Sequence, residues 1–412
     1  MSGGEHHCLN CGSPLRHTFV DLGATPISNS NVKPEGLGKP DPTYPLHVRV
    51  CDRCLLVQAD SVVDRAEHFS EDYQYFSSFA ESWVQHARRY VEEMIERFGL
   101  SASSMVVEVA SNDGYLLQHF TARGIPVLGV EPTRSTADAA IAKGVPTDMS
   151  FFGKATAERL KGQGHAADLM AANNVLAHVP DINDFVAGFA TLLKPNGVWT
   201  SEFPHILNLI EENQFDTIYH EHYSYLSLLV VECILAKHGL RVFDVQELPT
   251  HGGSLRVFAC RQDANHREAE GLARVRAKEA QFGLDRISAY EGFEAKVVAV
   301  KQALLEFLGR AKAEGKTVAA YGAAAKGNTL LNYCGVDTDL VAYVVDRNDK
   351  KQGRYLPGSR LPILPPEKLA ETKPDYVLIL PWNLRREIMS QMSEVRGWGG
   401  KFVVAIPKLE VF

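Results

Sequence analysis

The 412-residue sequence lacks several features that define particular classes of protein. It has no run of about 18 apolar residues, so we expect no membrane-spanning helix. Asp and Glu outnumber Lys and Arg and give a net charge of −7, which disfavours a nucleic-acid or membrane partner. The polar residues 1–7 lack the apolar stretch of a signal peptide. We therefore expect a cytoplasmic protein.

Cysteine is also scarce, and four of the seven Cys form two Cys-x-x-Cys pairs. The pairs are Cys8 with Cys11 and Cys51 with Cys54. Each pair can hold one ion from a tight turn, and four thiolates complete the tetrahedron of a structural zinc site. Two free surface pairs are the alternative, and no thioredoxin-like pattern supports a redox function. Between the pairs we predict loop, because prolines are frequent there: Pro26, Pro34, Pro40, Pro42 and Pro45.

The G-x-G-x-x-G fingerprint of dinucleotide-binding proteins is absent too, although strands and helices alternate from about residue 105. An apolar strand at 105–109 contains Glu108 and leads into the polar turn 111–114. The next strand ends at Glu131, where a carboxylate can bind a ribose diol. A polar turn that is poor in Gly suits a ligand without a pyrophosphate. These features favour a site for S-adenosylmethionine.

Later segments extend the same pattern. A strand from residue 168 runs into Asn173 and Asn174, and the turn 192–197, of a kind common in class I methyltransferases, precedes another strand. Strands at 241–245 and 254–259 have no helix between them, as in the antiparallel pair that closes a methyltransferase sheet. We therefore predict a Rossmann-like class I methyltransferase domain over residues 71–262.

The segment 216–225 combines one Asp, one Glu, two His and three Tyr. These side chains can move or share a proton near neutral pH when their surroundings are tuned. The segment follows a predicted strand end, where α/β enzymes place their chemistry. A solvated polar loop is the alternative.

The chain beyond residue 262 repeats the strand–helix alternation after a long polar helical region, 265–314. A strand at 317–321 leads into a turn of Gly and Ala with Lys326, and a helix follows at 329–334. A Lys near a helix N-terminus can bind phosphate, and a plain turn with a solvated Lys is the alternative. Three further strands are predicted at 340–345, 376–380 and 401–406.

The predicted fold class is therefore α/β, with three parts. A small zinc-binding domain covers residues 1–70, and the Rossmann-like S-adenosylmethionine-binding domain covers 71–262. A helical linker and a second Rossmann-like domain, which would bind a nucleotide-bearing substrate, cover 263–412.

These motifs together resemble the S-adenosylmethionine-dependent C-methyltransferases that act on nucleotide-linked keto-deoxysugars, of the kind found in tetronitrose biosynthesis. The resemblance covers nearly the whole chain. It rests on the cysteine pairs and on segments 75–78, 108–114, 172–178, 219–222, 251–253 and 321–326. It implies structural zinc, S-adenosylmethionine as the cofactor, and a 4-keto-deoxysugar, expected to be dTDP-linked, as the substrate. It also implies methyl transfer to carbon, C3, through an enolate, and we expect a monomer.

The resemblance also implies a catalytic group. His222 matches the base, and Glu221 and Tyr219 match groups that orient it or steady the substrate. His178 and Tyr75 match two further polar groups that line the site. His220 stands where the tetronitrose enzyme is acidic, which leaves either His220 or His222 as the base.

The other predicted contacts form two sets. The cofactor set is Tyr75, Ser78, Glu108, Ser111, Asn112, Gly114, Glu131 and Asn173. The set for the nucleotide sugar is Asn174, His251, Lys326, Asn328 and Asn383. Plainer alternatives are a buried ion-pair role for Glu221, a strand-end histidine for His178 and packing for Tyr75.

Three other functions compete with sugar C-methylation. An O- or N-methyltransferase acting on a nucleotide sugar or small natural product would also need a base. A nucleotide-dependent oxidoreductase could use Asp346 on a ribose, but the second half lacks the G-x-G-x-x-G spacing. A non-catalytic zinc scaffold would have little use for the acid–base cluster.

Overall fold

The structure is a computed structural model that describes residues 6–60, 76–79 and 81–412. Tyr75, predicted at both the catalytic and the cofactor site, lies outside the described residues. In the described ranges the strands form sheets of four, seven and six strands. No helix in these ranges is long and apolar enough to cross a membrane.

The N-terminal domain contains the antiparallel strands β1 (His17–Thr25), β2 (Tyr44–Val50) and β3 (Val57–Ala59). The prediction of loop throughout this region is therefore wrong. Buried residues alternate along β2, where Leu46, Val48 and Val50 all face the core. This period-two pattern forms a strand in spite of the prolines, because most of those lie in the connection 26–43.

The next strands along the chain are β4 (Val106–Val109), β5 (Val127–Val130), β6 (Thr147–Asp148), β7 (Ala167–Asn173), β8 (Leu193–Pro204), β9 (Ser224–Tyr225), β10 (Leu240–Leu248) and β11 (Ser254–Arg261). All except β9 form one sheet in the order β10-β11-β8-β7-β4-β5-β6. Strands β4 to β8 are parallel, and β11 is antiparallel to both β8 and β10. The predicted turn 192–197 is part of β8, where a register shift against β7 accommodates it.

Helices cover both faces of this sheet. They are α1 (Glu81–Phe98), α2 (Leu117–Thr121), α3 (Arg134–Ala142), α4 (Lys154–Gly162), α5 (Ile182–Leu192), α6 (Ile206–Glu211) and α7 (Leu228–Lys237). Helix α1 buries Ala87, Tyr90, Val91 and Met94, because this spacing places them on one helical face. The strand order changes direction between β4 and β7, so their carboxyl ends border a crevice.

The predicted long helical region is two helices, α8 (Glu270–Phe282) and α9 (Phe293–Ala313). Gly283 and Gly292 separate them with φ values of 92° and 77°, which glycine adopts without steric cost.

The C-terminal domain adds the strands β12 (Val318–Tyr321), β13 (Val344–Val345), β14 (Ile363–Leu364), β15 (Tyr376–Ile379), β16 (Lys401–Val404) and β17 (Glu410–Val411). Its sheet order is β14-β13-β12-β15-β16-β17, which changes direction between β12 and β15. Its helices are α10 (Ala325–Cys334), α11 (Lys368–Thr372) and α12 (Arg385–Gln391). Helix α10 begins four residues before the predicted start, so Lys326 lies in its first turn.

The polar segment 216–225 joins all three domains. Its end, β9, pairs with β3 and becomes the fourth strand of the N-terminal sheet. Earlier in the segment, the Thr329 hydroxyl of α10 donates to the Ile218 carbonyl at 2.9 Å. A continuous hydrophobic core contains Phe19, Ile218 and Leu331 from these different parts. The fold therefore places the predicted acid–base segment at the junction of the domains.

Candidate active site

The four predicted cysteine ligands come together in the N-terminal domain. The sulfurs of Cys8 and Cys54 are 3.5 Å apart, as are those of Cys11 and Cys51, and all four lie within 4.8 Å of one another. A tetrahedral zinc with Zn–S bonds of about 2.3 Å separates its sulfurs by about 3.8 Å. Four thiols fill the coordination of such an ion, so the set fits a closed, structural zinc site.

The predicted cofactor turn follows β4. Ala110 and Asn112 have φ values of 55° and 49°, and this tight path carries the backbone past Glu131 at the end of β5. The Glu131 carboxylate accepts hydrogen bonds from the N–H groups of Asn112 at 3.0 Å and Thr133 at 2.9 Å. These bonds fix the carboxylate at the crevice, while burial raises its pKa. The geometry suits a carboxylate that also accepts bonds from a ribose diol.

Several buried polar atoms at this crevice have no protein hydrogen-bond partner among the described residues. They include Ser111 Oγ, Asn173 Oδ1 and Asn174 Oδ1. Because buried polar atoms are normally paired, such a group favours a polar ligand. These atoms lie at the carboxyl ends of the neighbouring strands β4 and β7, where they could bind the hydroxyl and amino-acid groups of S-adenosylmethionine.

Three other predicted cofactor residues have protein contacts. The Asn112 side chain accepts from the Ser77 N–H at 2.9 Å, and Ser78 Oγ accepts from Lys143 at 2.8 Å. Segment 76–79 therefore contacts the cofactor turn. Glu108 is fully buried within β4, which raises its pKa well above the usual value, while a hydrogen bond from Tyr115 opposes the shift.

Gly114 completes the turn, with a φ of 75°. A Cβ at this position would lie 3.1 Å from the Val145 side chain and 3.2 Å from that of Ala140. Gly114 therefore brings the turn close to α3, and its role in the structure is one of close packing.

His222 is buried, and its Nδ1 lies 2.8 Å from the Thr217 carbonyl oxygen. A carbonyl can only accept, so Nδ1 carries the proton and neutral His222 has its lone pair on Nε2. Burial lowers the pKa of His222 well below its usual value, and the charges of His178, His251 and Lys326 lower it further. The imidazole is therefore held neutral, in one tautomer, with Nε2 available to take a proton.

Two predicted partners surround this imidazole. The rings of Tyr219 and His222 have centroids 4.0 Å apart and are tilted by 33°. The His178 ring meets His222 edge to face at 4.6 Å. His178 follows β7 and Tyr219 belongs to the polar segment 216–225, so the fold brings these three predicted residues together.

Glu221 and His220 turn toward other groups. Glu221 accepts a hydrogen bond from the Asn29 side chain of the N-terminal domain at 2.6 Å. Burial raises the pKa of Glu221 from 4.5 to about 7. His220 Nε2 lies 3.2 Å from the carbonyl oxygens of Tyr44 and Pro45, so its ring faces the N-terminal sheet.

The predicted substrate residues lie at two places around this cluster. Asn174 Nδ2 is 3.2 Å from His251 Nε2, and the His251 ring meets Trp83 edge to face at 5.4 Å. Asn328 is buried and donates to the Ser28 carbonyl at 3.2 Å. Lys326 donates to Asn383 Oδ1 at 2.9 Å, so these two predicted residues are direct neighbours.

A curated relative matches the chain almost from end to end. The C-methyltransferase NovU of Streptomyces niveus is 37% identical over 404 residues, which cover 98% of this chain and 96% of that protein. The chain belongs to the C-methyltransferase family. Three family models match in succession: "Putative zinc binding domain" at 8–69, "Methyltransferase domain" at 83–245 and "C-methyltransferase C-terminal domain" at 249–407.

More distant matches cover only parts of the C-methyltransferase. A ubiquinone biosynthesis O-methyltransferase of Bartonella tribocorum is 28% identical over 94 residues, 23% of this chain and 38% of that protein. Magnesium protoporphyrin IX methyltransferase from Synechocystis PCC 6803, solved with bound SAH, has a TM-score of 0.35 and 16% identity, and covers 48% of this chain and 93% of that one. A methyltransferase complex of Haloferax volcanii has a TM-score of 0.36 and 14% identity, and covers 49% and 99%.

The enzyme is therefore an S-adenosylmethionine-dependent methyltransferase with a zinc-binding N-terminal domain, as predicted. Its cysteine cluster and the crevice beside β4 have the donor sets that zinc and S-adenosylmethionine need.

Several residues that contact the candidate site, or line a cavity of their own, were not predicted from the sequence. Asn29 lies in a proline-rich connection, and Trp382, which donates to Asp216 at 2.8 Å, follows β15. An open cavity of about 550 Å³ also lies at the carboxyl ends of β12 to β14. It is lined by Tyr321, Arg347, Gln352, Pro365, Pro366, Glu367, Gln391 and Met392. The position after a strand end was the only sequence signal for Trp382 and Arg347.

Proposed function

We propose that this C-methyltransferase methylates C3 of a nucleotide-linked 4-keto-deoxysugar, expected to be dTDP-linked, through an enolate. The observation that carries the proposal is the buried, neutral His222, whose Nδ1–H is held by the Thr217 carbonyl. A sugar carbon becomes a nucleophile only after a proton leaves it. A neutral imidazole with a defined free nitrogen is suited to remove that proton.

The chemistry follows from the keto group. Nε2 of His222 takes the proton from C3, and the C–H electron pair becomes the C3–C4 double bond of an enolate while the carbonyl pair moves to oxygen. The enolate then re-forms the carbonyl as C3 bonds to a methyl group. S-adenosylmethionine supplies that methyl, and the electrons of its S–CH3 bond remain on sulfur. Holding both reactants between the β4 crevice and His222 would account for much of the rate.

The neighbours of His222 have supporting roles in this proposal. The rings of Tyr219 and His178 restrict the orientation of the imidazole through their contacts at 4.0 and 4.6 Å. Glu221, with a pKa of about 7, can exist as a neutral carboxylic acid and donate a hydrogen bond to the sugar. Asn174 and His251 form the side of the site next to the cofactor crevice.

The nucleotide end of the substrate requires room and positive charge. The cavity of about 550 Å³ in the C-terminal domain has the size of a small-molecule site. Arg347 lines it, and a guanidinium binds phosphate oxygens in pairs. The cavity is at the carboxyl ends of parallel strands, where α/β sheets bind ligands. We place the nucleoside diphosphate there.

The direct test is incubation with S-adenosylmethionine and a panel of nucleotide-linked 4-keto-6-deoxysugars. A mass increase of one methyl identifies the substrate, and NMR of the product locates the methyl on carbon, oxygen or nitrogen. Exchange of the C3 proton for deuterium without the cofactor would report the first step alone. Methyl transfer to a hydroxyl, or no exchange at C3 in an active enzyme, contradicts the proposal.

His222→Asn should lower kcat by about 100-fold or more, because a general base contributes roughly this much. S-adenosylmethionine affinity, measured by calorimetry, should stay nearly unchanged. His220→Asn is the matched control, since His220 faces the backbone of the N-terminal sheet. If the His222→Asn variant still exchanges the C3 proton for deuterium and a folded His220→Asn variant does not, then His220 is the base.

A further inference from the structure

Lys326 lies at the point where the C-terminal sheet changes direction, in the first turn of α10. Its side chain is half-buried, and its ammonium lies 4.9 Å from the centre of the Trp382 ring. Of its three N–H donors, one has an acceptor among the described residues, namely Asn383 Oδ1 at 2.9 Å. Within that part of the chain, two donors are therefore open to a ligand.

Trp382 connects this ammonium to both sides of the proposed base. Its indole N–H donates to Asp216 at 2.8 Å, and Asp216 precedes Thr217, whose carbonyl holds His222. Trp382 also packs on Gly252, the residue that follows His251. The contact is so close that a Cβ at position 252 would lie 2.5 Å from the indole ring. Lys326 thus lies against a ring that contacts both histidine-bearing loops.

The pKa shifts of Lys326 and of nearby residues are consistent with a lysine ammonium close to the two histidine-bearing loops. Burial lowers the pKa of Lys326, and Asp216 is the charged group that opposes the shift. Burial also lowers the pKa of His251 to about 4, and Lys326 is the largest charge effect on it. The field of Lys326 therefore reaches the proton-transfer cluster.

We infer that Lys326 is a catalytic residue whose ammonium donates a hydrogen bond to the sugar keto oxygen as it becomes the enolate oxygen. This inference rests on the proposed function and specifies which part of the substrate Lys326 binds: the reacting oxygen, and not a phosphate. His222 takes the C3 proton, the carbonyl electron pair moves to oxygen, and Lys326 keeps its own proton throughout. A fixed cation beside a developing oxyanion stabilises the transition state more than the ground state.

Lys326→Met tests this role, with Lys326→Arg as the conservative variant and Lys316→Met, an exposed residue of the same domain, as the control. Loss of one oxyanion donor costs about 100- to 1,000-fold in kcat. We expect that loss in Lys326→Met, in both methyl transfer and C3 deuterium exchange, with cofactor affinity unchanged and partial recovery in Lys326→Arg. An increased KM with kcat and exchange retained would show a phosphate-binding lysine and overturn the inference.

A second measurement needs no substrate. The pKa of His222, followed by NMR of labelled histidine, should rise in Lys326→Met because the lysine charge helps to lower it. His178, His251, Tyr219 and Tyr225 also face His222 and remain in place. An unchanged His222 pKa in folded Lys326→Met overturns the inference. Wild-type enzyme that neither exchanges nor methylates any keto sugar refutes the proposed function instead.

Discussion

Glu221 should reduce the stability of the protein at neutral pH, and Glu221→Gln should remove this cost. Its folded pKa of about 7 lies above the ordinary 4.5, so the folded protein binds its proton more tightly than the unfolded chain does. The stability contribution of a carboxyl with a raised pKa falls as pH increases from the unfolded to the folded value. Gln resembles the protonated acid and can still accept the Asn29 hydrogen bond.

The size of the effect follows from the two pKa values. The shift in pKa from 4.5 to about 7 corresponds to about 3 kcal/mol of unfolding free energy when fully expressed. The variant should therefore be more stable than the wild type by about 1 kcal/mol at pH 5 and by about 3 kcal/mol at pH 8. For a cooperative unit of 150–250 residues, the pH 8 value corresponds to an increase in Tm of roughly 6–12 °C.

Thermal unfolding of both proteins from pH 5 to pH 8 measures this difference. Glu306→Gln is the control, since that carboxylate is 77% exposed on α9 and should show no such trend. A stability difference that stays constant with pH, or a Gln variant that is less stable at pH 8, would refute the reasoning.

Two predictions concern the other ligands of the enzyme. Cys51→Ser should reduce the zinc content from one ion per chain to none by elemental analysis and lower Tm, because three thiolates do not close the tetrahedral site; full zinc content would contradict this assignment. Glu131→Ala should weaken S-adenosylmethionine binding by roughly 10- to 100-fold, as measured by calorimetry. Hydrogen bonds to a charged group contribute about 1.5–3 kcal/mol, which corresponds to this change in affinity. An unchanged affinity would show that Glu131 does not bind the ribose.

The sequence predicted the sheets of the two larger domains well because their signals are local. Buried strands such as β5 are short apolar runs, and the polar residues that follow each strand mark the carboxyl edge. The strands β1 and β2 were missed because prolines in the connection suggested loop throughout. Their pairing is between distant residues, such as Val20 with Val48, and no local pattern specifies it.

The candidate site was predicted in its residue types but not in its contacts. His222, Tyr219 and His178 do lie together, as the resemblance implied. The partner of Glu221, however, is Asn29 of the N-terminal domain, and the partners of Lys326 are Asn383 and Trp382, which follow the distant strand β15 of its own domain. Such contacts depend on how distant parts of the chain pack, and a motif in one short segment contains no information about them.

The strand β9 has a consequence for how the protein is synthesised. Strand β3 has an open edge until it pairs with β9, and β9 emerges from the ribosome only after β4 to β8, five of the seven strands of the methyltransferase sheet. Unpaired edges invite association with other chains. The N-terminal domain can bind its zinc early but must wait for the segment that carries His222 before its sheet is complete. Gene fusions that exchange the first domain alone would therefore separate β9 from the other three strands of its sheet.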